Sequence, residues 1–280
     1  MNNKDILKEI HRSKNSYCSY LTPDCADYDL IIYSLNDLTQ ENIQQAKENR
    51  STRIAKAAHE IATRDGEKRR VDDFAPGAEN IKTTDLVFRL MTWDHVPTVD
   101  AAPKKVIEDI EDEEIVHTEY DDDEPKPANT KYVKCNFPPF QHFKLNEQSK
   151  PYCVGKSHWI GDLETGHWSK DHGAMTRTLA NMFIKLCEKY ATRFNWRSYT
   201  YNDEMRSQAL LQLSQIGLQF DEGKSQNPFA YYTATISNSF IRVLNIEKRN
   251  QNLRDDIMEL NNLNPSYTRQ NESYGNYDDN

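Results

Sequence analysis

No stretch of this chain approaches the roughly 20 apolar residues that a membrane-spanning helix needs. Its opening residues, Met-Asn-Asn-Lys-Asp, lack the apolar core of a secretory signal, so a soluble protein that stays inside the cell is expected. The five cysteines, Cys18, Cys25, Cys135, Cys153 and Cys187, are odd in number and include no CxxC pair, which fits reduced thiols better than a disulfide framework. A phosphate-binding loop is missing as well. Gly155-Lys156-Ser157 has the end of that motif, but Lys150 stands where its first glycine is required. Cys153, His158, His167 and His172 are metal-binding residue types at none of the standard zinc spacings, and they read as loop and core residues. No Ser/His/Asp or Cys/His order suggests a nucleophile. Neither an enzyme active site, nor a metal, nor a cofactor is expected.

What the chain does have is charge. With 28% charged residues and a mean hydropathy of -0.88, the 280 residues are too polar for one fully packed globule, and long unpacked segments are expected. A net charge of -9 excludes a sequence-blind coat for nucleic acid, so any DNA contact must be local or arranged by a partner. The negative charge concentrates between Glu108 and Glu124, just before Pro125-Lys126-Pro127. Carboxylates and prolines at that density keep a segment extended, and without glycine turns they do not form a calcium loop. This run divides the chain into an N-terminal region, residues 1–104, to which no role is assigned; an acidic linker, 105–130; a helical domain, 131–254; and a polar tail, 255–280. The expected fold class is mainly α, a small helical bundle beside a poorly assigned N-terminal half.

In that half, residues 4–12 fit a short helix carrying Ile6 and Ile10, and Leu30-Ile31-Ile32-Tyr33 is a strand or helix candidate. Thr39 to Arg64 is helical in composition, with Ile43, Ala46, Ile54, Ala57 and Ile61 as a thin apolar stripe that needs a partner. Asp85 to Val96 is the densest apolar run and reads as this half's core.

Three helical patterns follow the linker. His172 to Phe194 carries Met175, Leu179, Met182, Leu186 and Tyr190; Asp203 to Phe220 carries Met205, Ala209, Leu213, Ile216 and Phe220. In the third, Asn227 to Arg249, Asn227 suits the N-cap and Pro228 the first helical position. One face of it repeats Phe229, Tyr232, Ile236, Phe240 and Val243. Another repeats Tyr231, Thr235, Asn238, Arg242, Asn245 and Arg249. Aromatic, hydroxyl, amide and guanidinium groups in one row can stack on bases, read base edges and pair with phosphates, although a solvated helix face looks similar. From Lys170 to Arg254, twelve basic residues against seven acidic ones leave +5 inside an acidic chain.

Across these helices, Lys189-Tyr190-Ala191-Thr192-Arg193, then Asp203 to Phe220, Phe220-Asp221-Glu222, Asn227-Pro228, Ala230-Tyr231, Thr233, Asn238 and Phe240 form a set of spacings. The set resembles the second conserved region of the sigma factor family, in particular the late-transcription sigma factors of T-even-type bacteriophages. The resemblance covers residues 175–254. It implies a factor for transcription initiation and late gene expression that binds the host RNA polymerase core, joins it at the clamp helices of the largest subunit, and carries it to AT-rich late promoters in the cytoplasm of an infected bacterium. Polymerase binding would fall to Glu204, Ser207, Gln208, Leu210 and Ser214. Promoter DNA would meet Phe229, Tyr231, Tyr232, Thr235, Asn238, Ser239, Arg242, Lys248 and Arg249, with Tyr232, Thr235, Ile236, Ser239 and Arg242 at the melting and base-reading positions. Cellular members carry a tryptophan pair where this chain has Thr235-Ile236, and Ser207-Gln208 replaces the usual Gln-Glu. A phage co-activator is a further implied partner. The apolar tail with which the phage relatives dock a sliding clamp has no counterpart after Arg254, nor does a helix-turn-helix follow, so neither property carries over. The alternative reading is a transcription co-activator or adaptor that keeps the polymerase contact without reading DNA itself.

Overall fold

The computed structural model describes residues 2–67, 69–99 and 131–270, which divide into two compact units: residues 1–14 with 175–280, and residues 15–174. The expected acidic linker lies outside the described residues. Helix α1 (Asn3–Asn15) begins the helical unit, with Ile6 and Ile10 fully buried. The chain then enters the sheet unit through β1 (Cys18–Tyr20), β2 (Leu30–Ile32), helix α2 (Gln40–Arg64), β3 (Phe88–Met91), β4 (Thr98–Val99), β5 (Lys131–Tyr132), β6 (Phe140–Leu145), β7 (Pro151–Ser157), β8 (Trp159–Ile160) and β9 (His167–Trp168). It returns to the helical unit as α3 (Arg177–Ala191), α4 (Asn202–Ile216) and α5 (Pro228–Leu260). Residues 131–174 thus belong to a β-structure, not to the helical domain in which the charge-based boundary places them. The described residues are mainly helical, with one five-stranded mixed sheet and two two-stranded antiparallel ones.

In the sheet unit the strand order is β1-β7-β6-β3-β2, antiparallel except for the parallel pair β2 and β3. A parallel pair needs a crossover, which α2 supplies. The apolar run at Asp85–Val96 becomes β3, and its Phe88 and Leu90 join Ile32, Ala46, Ile81, Leu86 and Leu145 in one core cluster. On α2 the buried line is Ala46, Ser51, Ala55 and Ala62, while Ile54 and Ile61 are exposed, contrary to the expected stripe. The cause lies in Asp29, whose buried carboxylate accepts from Val87 N at 2.9 Å and pairs with Arg50 at 3.2 Å and Arg53 at 2.5 Å. Holding both arginines against Asp29 turns the small residues of α2 inward.

The helical unit is built on ring contacts. Phe183 of α3 meets Tyr232 of α5 edge-on at 4.7 Å, and Phe240 meets both Tyr190 and Trp196 edge-on, at 5.3 and 5.4 Å. The helix ends follow local chemistry: Thr176 accepts from Leu179 N at the start of α3, and Asn227 accepts from Ala230 N at the start of α5, with Pro228 in its first turn. Gly217 closes α4. A Cβ there would run into the Phe183 ring, so only glycine lets the two helices approach this closely.

Helix α5 runs to Leu260, eleven residues past the expected end. Between Arg249 and Leu260 there is neither glycine nor proline, and the first such breaker is Pro265. The described part of the segment read as a polar tail, 255–270, therefore continues the helix and then hooks back on it: Asp255 accepts from Ser266 N at 2.8 Å and Ser266 Oγ at 2.7 Å, and Arg269 pairs with Asp256 and Glu259. Among the described residues no helix is long and apolar enough to cross a membrane.

Candidate nucleic-acid interface

Helix α5 carries both expected faces, but the division between them differs from the sequence pattern. Tyr232, Ile236, Phe240 and Val243 are buried as expected, and Phe229 is not, at 40% exposure. Thr235 and Ser239, expected in the DNA-reading set, are buried with them. Their hydroxyls donate to carbonyls one turn back in the same helix, Thr235 Oγ1 to Tyr231 O and Ser239 Oγ to Thr235 O, both at 3.0 Å. That internal bond satisfies the hydroxyl and lets a small polar residue line an apolar seam. Tyr232 is fully buried, and its hydroxyl donates to Gly217 O at 2.6 Å. Burial pushes its phenol pKa well up, so the ring stays neutral. Tyr232, Thr235 and Ser239 are thereby removed from the promoter-contact set: they pack the bundle.

The rest of the set stays at the surface. Asn238, Arg242, Asn245 and Arg249 are exposed and form a row along α5 with successive members three or four residues apart, and exposed Lys248 stands beside Arg249 at its end. Tyr231 is half-buried at the start of this row, edge-on to Phe220 at 5.6 Å, and burial raises its pKa. Its hydroxyl lies 3.5 Å from Ile216 O. The row presents two amides and three cations outside a packed helix, an arrangement suited to base edges and phosphates.

On α4, Met205, Ala209 and Leu213 face the core. The opposite side exposes Glu204, Ser207, Leu211 and Ser214, with Gln208 half-buried beside them. Leu210, expected in the polymerase-contact set, sits on the flank toward the core. Leu211, 53% exposed, is the apolar residue at the centre of the outer face. Ser207, Leu211 and Ser214 recur at four and three residues on the side opposite the core line of Met205, Ala209 and Leu213, whereas Leu210 falls between the two faces. The two serines bond their own helix, Ser207 Oγ to Asp203 O and Ser214 Oγ to Leu211 O.

Lys189 to Arg193 enter the resemblance, but none of the expected contact residues lies in the segment joining α3 and α4. From Lys189 to Tyr201 it holds Lys189, Arg193 and Arg197 with no acidic residue, and Tyr190, Phe194, Trp196, Tyr199 and Tyr201 among them. The interleaving of rings and cations was the available signal.

Cys153, His158, His167 and His172 do not converge: among the described residues no group of three or more His, Cys, Asp or Glu could hold a metal ion. His158 is instead a core residue, its ring 4.1 Å from Phe137. No family model, no curated protein and no solved structure matches the chain.

Proposed function

We propose that this chain is a sigma-type transcription factor of the kind bacteriophages use for late genes, which joins host RNA polymerase core and directs it to AT-rich promoters. The observation that carries the reading is the separation of two exposed faces on two helices, α4 and α5, of one helical unit. The outer side of α4 presents an apolar centre, Leu211, inside a polar rim of Glu204, Ser207, Gln208 and Ser214, as a protein contact requires. The row Asn238, Arg242, Asn245, Lys248 and Arg249 on α5 is left for DNA. Spacings shared with the family's second region across all three helices support the same assignment. In this reading the clamp helices of the polymerase seat on α4, the holoenzyme acts in the cytoplasm of the infected cell, and the low intrinsic affinity expected of a chain with charge -9 makes recognition conditional on polymerase.

One observation favours the adaptor reading. Of the five melting and base-reading positions that the family suggests, Tyr232, Thr235, Ile236 and Ser239 are buried and only Arg242 is exposed. Run-off transcription separates the two readings, with core polymerase, AT-rich templates and the full chain. Wild type should give promoter-dependent transcripts, and Arg242→Ala should reduce open-complex formation by an amount corresponding to about 1 to 3 kcal/mol if it reads a base edge. Ser207→Arg with Leu211→Arg should abolish co-purification with core. Retained polymerase binding without any promoter preference, in wild type and Arg242→Ala alike, would establish the adaptor.

A further inference from the structure

The turn joining α3 to α4 has the composition and the rigidity of a stacking platform. Its backbone is closed by Trp196 N to Arg193 O at 2.9 Å, Arg197 N to Arg193 O at 3.0 Å and Asn202 N to Tyr199 O at 3.2 Å. The Asn202 side chain then staples it, its amide donating both to Ala191 O at 3.1 Å and to Trp196 O at 2.8 Å. A turn pinned in this way holds its side chains without a large ordering cost on binding.

Those side chains alternate between rings and cations. The Arg193 guanidinium lies over Tyr190 at 4.2 Å and that of Arg197 over Phe194 at 5.1 Å. Both arginines are exposed, and neither makes an ion pair among the described residues. Trp196 is half-buried, Tyr199 lies 6.1 Å from it, and Tyr201 continues the series 5.3 Å further on. Phe194 is the outlier, 78% exposed at the tip of the turn. A phenylalanine so exposed gains nothing at home. Its flat face, with an arginine already over it, offers what a splayed base takes up, while Lys189, Arg193 and Arg197 supply charge for the phosphates between bases. No carboxylate falls between Lys189 and Tyr201 in a chain with 44 acidic residues. A phosphate strand is therefore the occupant that the charge fits, and a duplex, whose bases are stacked on one another, cannot use the rings.

We infer that the α3–α4 turn is a binding site for single-stranded nucleic acid, in which Phe194 stacks a base and Arg193 and Arg197 hold the flanking phosphates. The site uses none of the residues of the row on α5 and does not depend on polymerase binding or promoter recognition.

The test uses the full chain without polymerase, by fluorescence anisotropy at low salt. The probes are labelled oligothymidine and oligouridine of about 20 nucleotides, longer than one site of this kind needs, and a duplex of equal length. Single strands should bind more tightly than duplex. Phe194→Ala should lose about 5- to 100-fold, the loss of one base stack, and Arg197→Gln should flatten the salt dependence by about one phosphate contact. Both residues are exposed, so circular dichroism should match wild type. Binding of either polymer through Phe194 supports the site, and the tighter one identifies its source as DNA or RNA. Absence of single-strand binding, equal affinity for duplex, or an unchanged Phe194→Ala would overturn the inference. If no oligonucleotide binds and Phe194→Ala loses retention in a separate co-purification with core polymerase, the inference is overturned and the turn is a protein contact. Because this assay contains neither polymerase nor promoter, failure of the transcription assay leaves its outcome untouched.

Discussion

The core of α3, α4 and α5 and the core of the sheet unit bury polar groups by opposite means. Where α3, α4 and α5 pack on one another they are the hydroxyls of Thr235 and Ser239, each bonded within its own helix, and the phenol of Tyr232 on Gly217 O, while the unit's buried charges are carried by α1, at Glu9 and Lys14, and by the C-terminal turns of α5, at Asp255. In the sheet unit, beside the hydroxyls of Ser51 and Ser157, they are ionic or titratable. Asp29 is held by two arginines. Arg89, 2% exposed, lies between the rings of Tyr28 and Phe140 at 3.9 Å from each and donates from Nε to His142 Nε2 at 3.0 Å. His142 in turn donates from Nδ1 to Cys25 O at 2.6 Å. The first kind of core answers mainly to lost volume, the second to lost partners and to protons.

The largest effect expected is on the helical side. Tyr232→Ala should cost about 3 to 5 kcal/mol in urea unfolding, because it empties a fully buried aromatic site against Phe183. Tyr232→Phe, which keeps the volume, should cost about 1 kcal/mol. If the two cost the same, volume does not govern this core. On the sheet side Asp29→Ala, which leaves Arg50 and Arg53 without their shared carboxylate, should cost about 2 kcal/mol. That figure is less than for a wholly buried pair, because both arginines are partly exposed.

Acid should separate the units next. Burial lowers the pKa of His95 to about 4 and of His158 to about 3, and for His158 the neighbouring His95 and His172 add to the shift. An unfolded histidine takes up its proton near 6.5. Between about 6.5 and 4 the unfolded chain thus binds protons that the folded rings refuse, and the sheet unit loses stability as pH falls through that window. Three of the four tryptophans, Trp93, Trp159 and Trp168, lie in this unit, so with Trp196→Phe the fluorescence reports it alone. Acid unfolding of the helical unit first would reverse the comparison. Smaller still is the cap: Asn227→Ala should cost about 1 kcal/mol of helical-unit stability. Arg242→Ala should change stability by no more than about 0.5 kcal/mol, since its side chain is exposed.

The helices were legible in the sequence because their signals are local. The cap at Asn227, the proline after it and the three- and four-residue recurrence of Leu179, Leu186, Met205, Ala209, Leu213, Ile236 and Phe240 lie within one or two turns of each other. The sheet was not, because its partners are far apart: Cys18–Tyr20 pairs with Gly155–Ser157 across more than 130 residues, and strands of two to seven residues have almost no period to read. The site fell between these cases. Asn238 and Arg242 could be placed outside from spacing alone. Thr235 and Ser239 could not, since a hydroxyl that bonds its own helix is polar by residue type but behaves as a small core side chain in place.

The helical unit is discontinuous in the chain, and this bears on how it is made. Helix α1 is synthesised first, yet the groups it bonds are distant: Glu9 and Ser13 meet Thr176, and Lys14 Nζ donates to Phe220 O at 2.7 Å. At a synthesis rate of about 5 to 20 residues per second, Ile6 and Ile10 wait on the order of ten seconds or more for their cover. The sheet unit, whose residues are contiguous from 15 to 174, can complete itself in that interval. A chain stalled after the insert has emerged and before α3 to α5 follow would therefore hold a finished insert and the apolar face of α1, with Ile6 and Ile10, still open to chaperones.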